Sequence, residues 1–297
     1  MRAGAAVPGV QRQEGSFLVV GCGYIGERVA ARVRASGARL AAVTRNAARA
    51  AELRARHAAD VLVGNYHDAS TMLAFCRELP QPLRVICLLP PGACIDDADT
   101  LAPLERLVDI LHALAPASAT LSSSTGVYGE QGSRVVSAES TCHPATKREA
   151  RLRDIELCWL SAPCARVLRL AGLYGPGRVV GLQGILAGAP VAGEPDAWLN
   201  LIHASDAAAL LLRMAGGQGA RIELGADGAP VTRRNYYHAL AALSGAAPPR
   251  FSGEATTRGG GYRRCDPSST WARLDWRPMY RDFRAGLAAL AEPLAAG

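Results

Sequence analysis

Two hydrophobic rhythms alternate along the first part of the chain. Short apolar runs occur at FLVV (17–20), LAAV (40–43), VLV (61–63), RVICLL (84–89), ATLSS (119–123) and ARVLRLA (165–171). Continuous runs of this length are the pattern of strands buried on both faces. Between them, apolar residues recur three or four apart. Val29 and Val33 precede Gly37, which sits where a helix stop belongs, and Leu101, Leu104, Leu107, Val108 and Leu111 form a longer stripe. Stretches 47–56 and 70–79 also read as helices. Strands alternating with amphipathic helices predict an α/β fold, a Rossmann-type doubly wound parallel sheet covered on both faces.

Beyond Gly172 the alternation weakens. Glycine and proline become dense in LYGPGR (173–178) and GILAGAPVAGEP (184–195). Two later helices are predicted. One is capped by Thr232, carries Tyr236, Leu240 and Leu243, and closes at Gly245. The other carries Phe283, Leu287 and Leu290. GEATTRGGGYRR (253–264) reads as a mobile loop, and no internal repeat is present. The expected organisation is a flexible extension over 1–16, a nucleotide-binding Rossmann domain over 17–172, and a smaller C-terminal substrate lobe over 173–297, partly interleaved with the Rossmann core.

Composition adds a sizeable core: of 297 residues, 49% are hydrophobic and 20% charged. Aromatics are only 5%, so Ala, Leu and Val must fill most of it. No apolar run reaches the roughly 18 residues that span a bilayer. Residues 1–16 lack the apolar segment of a secretory signal. A soluble, cytoplasmic protein with no membrane partner is expected. The net charge of +7 invites nucleic acid, but the basic residues, all arginine except Lys147, are spread along the chain. They form no run of five and interleave with no stacking aromatics, so no nucleic-acid partner is expected. An anionic cofactor or a small anionic substrate suits the same charge. The eight cysteines contain no CxxC pair and no zinc-ligand spacing, which predicts free thiols and no metal site.

The candidate chemistry begins at GCGYIG, directly after the first strand and at the start of a helix. That context gives the GxGxxG spacing its meaning. Gly21 permits the tight turn, Gly23 lets backbone approach a pyrophosphate, and Gly26 allows close helix–strand packing. Tyr24 and Ile25 complete the loop, and Leu89, ending the fourth run, joins the same cofactor set. The second strand ends in Thr44-Arg45-Asn46. No carboxylate stands there to bind the ribose 2′-hydroxyl of NAD, and Arg45 can pair a 2′-phosphate bidentately. NADP is therefore the expected cofactor, with NAD as the alternative. Asn65, in VGNYHD, is placed either to bond an adenine amine or as a generic loop residue.

FLVVGCGYIG, LSSSTGVYG, RVLRLAGLYGPGR and LNLIHASDAA, in this order and followed by LDWRP (274–278), resemble the extended short-chain dehydrogenase/reductase superfamily, in its NAD-dependent epimerase/dehydratase branch. The resemblance runs from about Phe17 to the last helix. It implies a Ser/Thr, a Tyr and a Lys beside the nicotinamide: Tyr as acid/base, Lys lowering its pKa, and Ser/Thr bonding the same substrate oxygen. Ser124, four residues before Tyr128, matches the Ser/Thr. The Tyr stands four residues after a proline in the next helix, and the Lys four beyond. Counted from Pro144, those places hold Arg148 and Leu152. Counted one earlier they hold Lys147 and Arg151. Leu152, Ile155 and Trp159 share a core face, whereas Lys147, Arg151 and Asp154 form a polar stripe. The pattern resembles an atypical subgroup that keeps the glycine motif and SSSTGVYG but not the Tyr-x-x-x-Lys pair.

The proton-donor candidates are then Tyr128, Tyr174 and Lys147, with Ser124 beside them. Tyr128 has a structural alternative, packing beneath the cofactor. His203 is expected to be structural and Asp206 to cap the next helix. Three functions follow: an NADP(H)-dependent oxidoreductase acting on a small carbonyl or imine metabolite, a nucleotide-sugar epimerase or dehydratase, and a non-catalytic NADP-binding redox sensor. Oligomeric state is open, with a homodimer allowed.

Overall fold

The computed structural model describes residues 14–96, 98–129, 132, 134–253 and 262–290. Most of the expected N-terminal extension (1–13) and of the expected mobile loop (254–261) lies outside the described residues.

The elements run β1 (Ser16–Val20), α1 (Tyr24–Ser36), β2 (Arg39–Thr44), α2 (Ala47–His57), β3 (Asp60–Val63), α3 (Ala69–Arg77), β4 (Leu83–Cys87), α4 (Ala102–Leu114), β5 (Ser118–Ser124), β6 (Val135–Val136), α5 (Lys147–Trp159), β7 (Ala165–Leu170), β8 (Gly172–Tyr174), α6 (Leu182–Leu186), β9 (Trp198–Leu199), β10 (Leu201–His203), α7 (Ala204–Ala215), β11 (Ile222–Gly225), β12 (Val231–Thr232), α8 (Arg233–Ser244), β13 (Arg264–Cys265), α9 (Ser268–Arg273) and α10 (Phe283–Ala288). A seven-stranded sheet has the order β11-β7-β5-β4-β1-β2-β3. Strands β3, β2, β1, β4 and β5 pair in parallel. The order reverses at β1, between β2 and β4, and such a switch point opens a crevice at the strands' carboxyl ends.

The α/β fold expected from the apolar rhythm is the one observed. Each predicted strand is present, with one change: β4 ends at Cys87, so Leu88 and Leu89 lie past it. The seventh strand, β11, was not expected, because RIELG is too short to stand out among loops. In α8 the buried stripe is Tyr236, Tyr237, Leu240, Ala241 and Ser244. Leu243 falls outside it and is exposed.

The chain folds as two compact units. Unit 1 comprises Met1–Ser123, Arg151–Leu168 and Ala208–Arg221; unit 2 comprises Ser124–Ala150, Arg169–Ala207 and Ile222–Gly297. In unit 1, Val19 and Val20 of β1, Ala41 and Ala42 of β2, and Ile86 of β4 are completely or almost completely buried. They pack with Val29 and Val33 from α1 and Leu53 from α2. Small and aliphatic side chains fill most of this core, and Phe17 and Trp159 are fully buried in the same unit. In unit 2, Tyr174, Tyr236, Tyr237 and Phe283 form one cluster with Ile185, Leu201, Leu240 and Leu287. Among the described residues no helix is long and apolar enough to cross a membrane, and no His, Cys, Asp or Glu group could hold a metal ion. All eight cysteines are free.

Candidate functional site

In unit 1 the chain leaves β1 through Gly21, whose φ of 86° lies in the left-handed region. A Cβ there would stand 3.0 to 3.1 Å from the backbone of Leu88 and Leu89, so glycine is required both for conformation and for space. Gly23 N–H donates to the Gly21 carbonyl at 2.8 Å, closing the turn. A Cβ on Gly23 would meet nothing within 4 Å, whereas one on Gly26 would press on the Cys22 sulfur at 3.1 Å. Gly26 thus serves packing, and Gly23 opens a space. α1 begins at that space with Gly23 as its N-cap and no side-chain cap. The first-turn N–H groups, those of Tyr24 and Ile25 included, carry the helix's partial positive charge into an open cradle. These residues fit a bound pyrophosphate. The Ile25 side chain itself is buried and contributes packing.

The strand ends beside the cradle divide their work. Thr44 Oγ1 accepts from Asn46 N–H at 3.2 Å, and Asn46 caps α2 by accepting from Arg49 N–H at 3.0 Å. Arg45 is exposed, and no group among the described residues holds its guanidinium. Arg49, which the sequence reading did not single out, is fully engaged. It donates twice to the Cys22 carbonyl, at 2.9 and 3.3 Å, and pairs with Glu27 and Glu52. Glu27 also meets His57 at 2.6 Å. Burial pushes the Glu27 carboxyl up, but the bonds from His57 and Arg49 outweigh it and hold the group below its ordinary value. Arg49 therefore anchors the glycine loop and leaves Arg45 as the cation that can meet a ligand. Asn65 is exposed after β3, and its carbonyl accepts from Asp68 N–H at 3.2 Å.

In unit 2 a 3₁₀ turn, Thr125–Tyr128, follows Ser124. Ser124 Oγ accepts from Gly126 N–H at 3.1 Å, which leaves its own O–H available to donate. Tyr128 is packed inward rather than open to a ligand. Its side chain is fully buried, its hydroxyl donates to the Ser137 carbonyl at 2.7 Å, and Arg169 stacks 4.9 Å from its ring. Burial raises the phenol well above its usual range, against the pull of Arg169. Tyr174 is likewise packed inward: it is buried, it donates to the Asp282 carbonyl at 3.0 Å, and burial raises its pKa. Lys147 is exposed at the start of α5. His203 is structural, packed between the rings of Tyr174 (5.3 Å) and Tyr280 (4.0 Å). Asp206 sits inside the first turn of α7, past the expected capping position. Its carboxylate accepts from Met279 and Tyr280 N–H at 2.9 and 3.1 Å, pinning a later segment.

A cavity of about 920 Å³ lies within unit 2. Ser124, Arg148, Arg178, Arg233 and Arg263 line it, with Glu149 and Glu194 as the acidic residues among its described lining. Lys147 and Tyr128 do not line it. Glu149 is committed to the start of α5, accepting from Ala145 and Thr146 N–H at 2.9 and 3.0 Å, while Thr146 Oγ1 accepts from Glu149 N–H. This is a capping box whose sequence signature, TKRE, was available but not used. A smaller cavity of about 370 Å³ lies against Trp198, Pro267 and Trp271, and none of the candidate residues lines it. Elsewhere in the unit, Asp227 is almost fully buried. Its Oδ1 accepts from Ala229 N–H at 3.0 Å, and its Oδ2 has no partner among the described residues. Burial pushes its pKa up to about 8.

A family model for the TrkA-N domain matches residues 17–78. Protein YeeZ of Escherichia coli K12 is 33% identical over 155 residues, 51% of this chain and 55% of YeeZ. The chain thus spans about half the length of the curated relatives it matches. A UDP-glucose 4-epimerase from Thermotoga maritima, solved with UDP-glucose, superposes with a TM-score of 0.73 at 18% identity, over 91% of this chain and 96% of that one. A dTDP-glucose 4,6-dehydratase from Bacillus anthracis, solved with NAD, gives 0.76 at 14% identity, over 91% and 93%. A conserved protein of unknown function from Silicibacter pomeroyi gives 0.72 at 23% identity, over 93% and 98%. The fold is that of an extended short-chain dehydrogenase/reductase.

Against that fold the departures in α5 become specific. Leu152, at the place the resemblance gives the lysine, is 4% exposed and shares a buried face with Ile155 and Trp159. Arg148, at the tyrosine's place, lines the unit 2 cavity. α5 keeps its buried face, and a permanent cation stands where the resemblance implied an acid.

Proposed function

We propose that this chain is an NADP(H)-dependent oxidoreductase that transfers hydride to or from the carbonyl or imine carbon of a small metabolite. The observation that carries the reading is the open, uncapped cradle at Gly23 with Arg45 unengaged at the end of β2. The first-turn N–H groups of α1 bind the pyrophosphate, and Arg45 pairs the 2′-phosphate. Asn65 bonds the adenine amine. When bound, the nicotinamide supplies or accepts the hydride. The Ser124 O–H hydrogen-bonds the substrate heteroatom, and solvent water supplies the proton that this heteroatom takes up on reduction. Arg148 stabilises negative charge developing there but gives up no proton, because a guanidinium stays charged. A substrate protonated before it binds, such as an imine, asks least of this site.

Two other readings have an observation behind them. The solved structures named as UDP-glucose 4-epimerase and dTDP-glucose 4,6-dehydratase favour nucleotide-sugar chemistry. The commitment of Tyr128 and Tyr174 to backbone carbonyls favours an NADP-binding sensor without turnover. Titration of NADPH and NADH against the wild type and Arg45→Asp tests the cofactor assignment. NADPH is expected to bind at least tenfold more tightly than NADH, and Arg45→Asp to abolish that preference. Equal or tighter NADH binding by the wild type refutes it.

A further inference from the structure

The unit 2 cavity has a charge imbalance that the hydride-transfer reading does not require. Among the described residues four arginines line it against two glutamates. Among the described residues no carboxylate pairs with Arg148, Arg233 or Arg263. Arg233 is held by the Ala192 carbonyl and lies over the Tyr237 ring, and its buried Nε–H has no acceptor among the described residues. Arg263 donates to the Gly129 carbonyl at 2.9 Å, and its buried Nε–H likewise has no acceptor among the described residues. Carbonyls position these guanidiniums but leave their charge uncompensated. A half-buried cation without a counter-ion is costly unless a ligand supplies one.

The arginines also come from separate places. Arg148 is on α5, Arg178 follows β8, Arg233 opens α8 and Arg263 precedes β13. The cavity volume falls within the range of small-molecule sites, and these guanidiniums give it a positive lining. Such a lining selects for charge on the ligand, which a compact dianion carries at the highest density.

We propose, resting on the oxidoreductase reading, that the substrate is a compact dianion, a dicarboxylate or a phosphate monoester, held by Arg148, Arg233 and Arg263. Guanidiniums recognise both groups through paired N–H donors.

Calorimetric titration of the full chain tests this with four probes: 2-oxoglutarate, dihydroxyacetone phosphate, pyruvate and UDP-glucose. At least one of the first two is expected to bind tenfold or more tightly than pyruvate, and which one identifies the anion as carboxylate or phosphate. Arg148→Gln and Arg233→Gln are each expected to weaken it at least tenfold, with NADPH binding unchanged. Arg148 is exposed, so its variant keeps the test decisive if Arg233→Gln fails to fold. Tighter binding of UDP-glucose, equal binding of pyruvate, an Arg148→Gln variant that binds as the wild type does, or a chain that binds NADPH but neither dianion would each overturn the proposal. A chain that binds a dianion but no NADPH refutes the oxidoreductase reading and leaves the dianion site standing.

Discussion

Asp227→Asn isolates a buried carboxyl whose ionisation opposes folding. The side chain is 3% exposed, one oxygen has no partner among the described residues, and burial lifts its pKa from 3.8 to about 8, with Asp282 and Asp206 adding to the effect. The folded pKa is above the unfolded one. The folded state therefore holds the proton longer, and stability is highest below about pH 4 and falls as pH rises towards 8. At pH 7 the gap of about three pH units above the unfolded value corresponds to an ionic-state penalty of roughly 4 kcal/mol. Asparagine removes the titration and keeps an oxygen for Ala229 N–H, but it adds a buried N–H pair that costs about 1–3 kcal/mol. Urea unfolding of both proteins at intervals from pH 5 to 9 measures the difference. The wild-type-minus-variant stability is expected to fall by about 3 kcal/mol or more across this range, since groups common to both cancel. A difference that stays flat with pH refutes the account of Asp227 as a buried acid held neutral.

Tyr128→Phe removes one hydrogen bond to the Ser137 carbonyl and is expected to cost about 1 kcal/mol in urea unfolding. Turnover, once a substrate is in hand, should stay within a few-fold of wild type, and its loss would restore Tyr128 as the acid. Arg273→Ala removes the two bonds, at 2.7 and 2.8 Å, by which Arg273 holds the fully buried Glu223 carboxylate. A loss of about 3–5 kcal/mol is expected, and a loss below about 1 kcal/mol would show that Arg273 is not what stabilises this carboxylate.

What could be read from the sequence was set by local patterns. FLVV followed by GCGYIG is a strand, a turn and a helix start whose geometry depends on neighbouring residues, so Gly21 makes the turn, Gly26 packs closely and Gly23 faces open space. Leu152 was readable as core because Ile155 and Trp159 follow it at helical intervals. The direction of a single side chain was not readable. Tyr128 could face a ligand or the interior, and only the packing around Ser137 and Arg169 decides it. Arg148, Arg178, Arg233 and Arg263 lie far apart in a chain crowded with arginine, so only tertiary structure distinguishes them. Arg49 escaped notice for the same reason, although it stands one helical turn after Arg45. Asp227 lies in an ordinary GADG turn, and nothing local marks it as buried.

Isotope transfer tests the central claim most directly. The protein is incubated with NADPH deuterated at both C4 positions and a panel of carbonyl and imine compounds that includes the dianions above, and products are read by mass spectrometry. The account predicts a product one deuterium heavier at the reduced carbon, formed at least tenfold faster than with equally labelled NADH. Tight NADPH binding with no deuterium in any product would contradict it and leave the chain a binding protein.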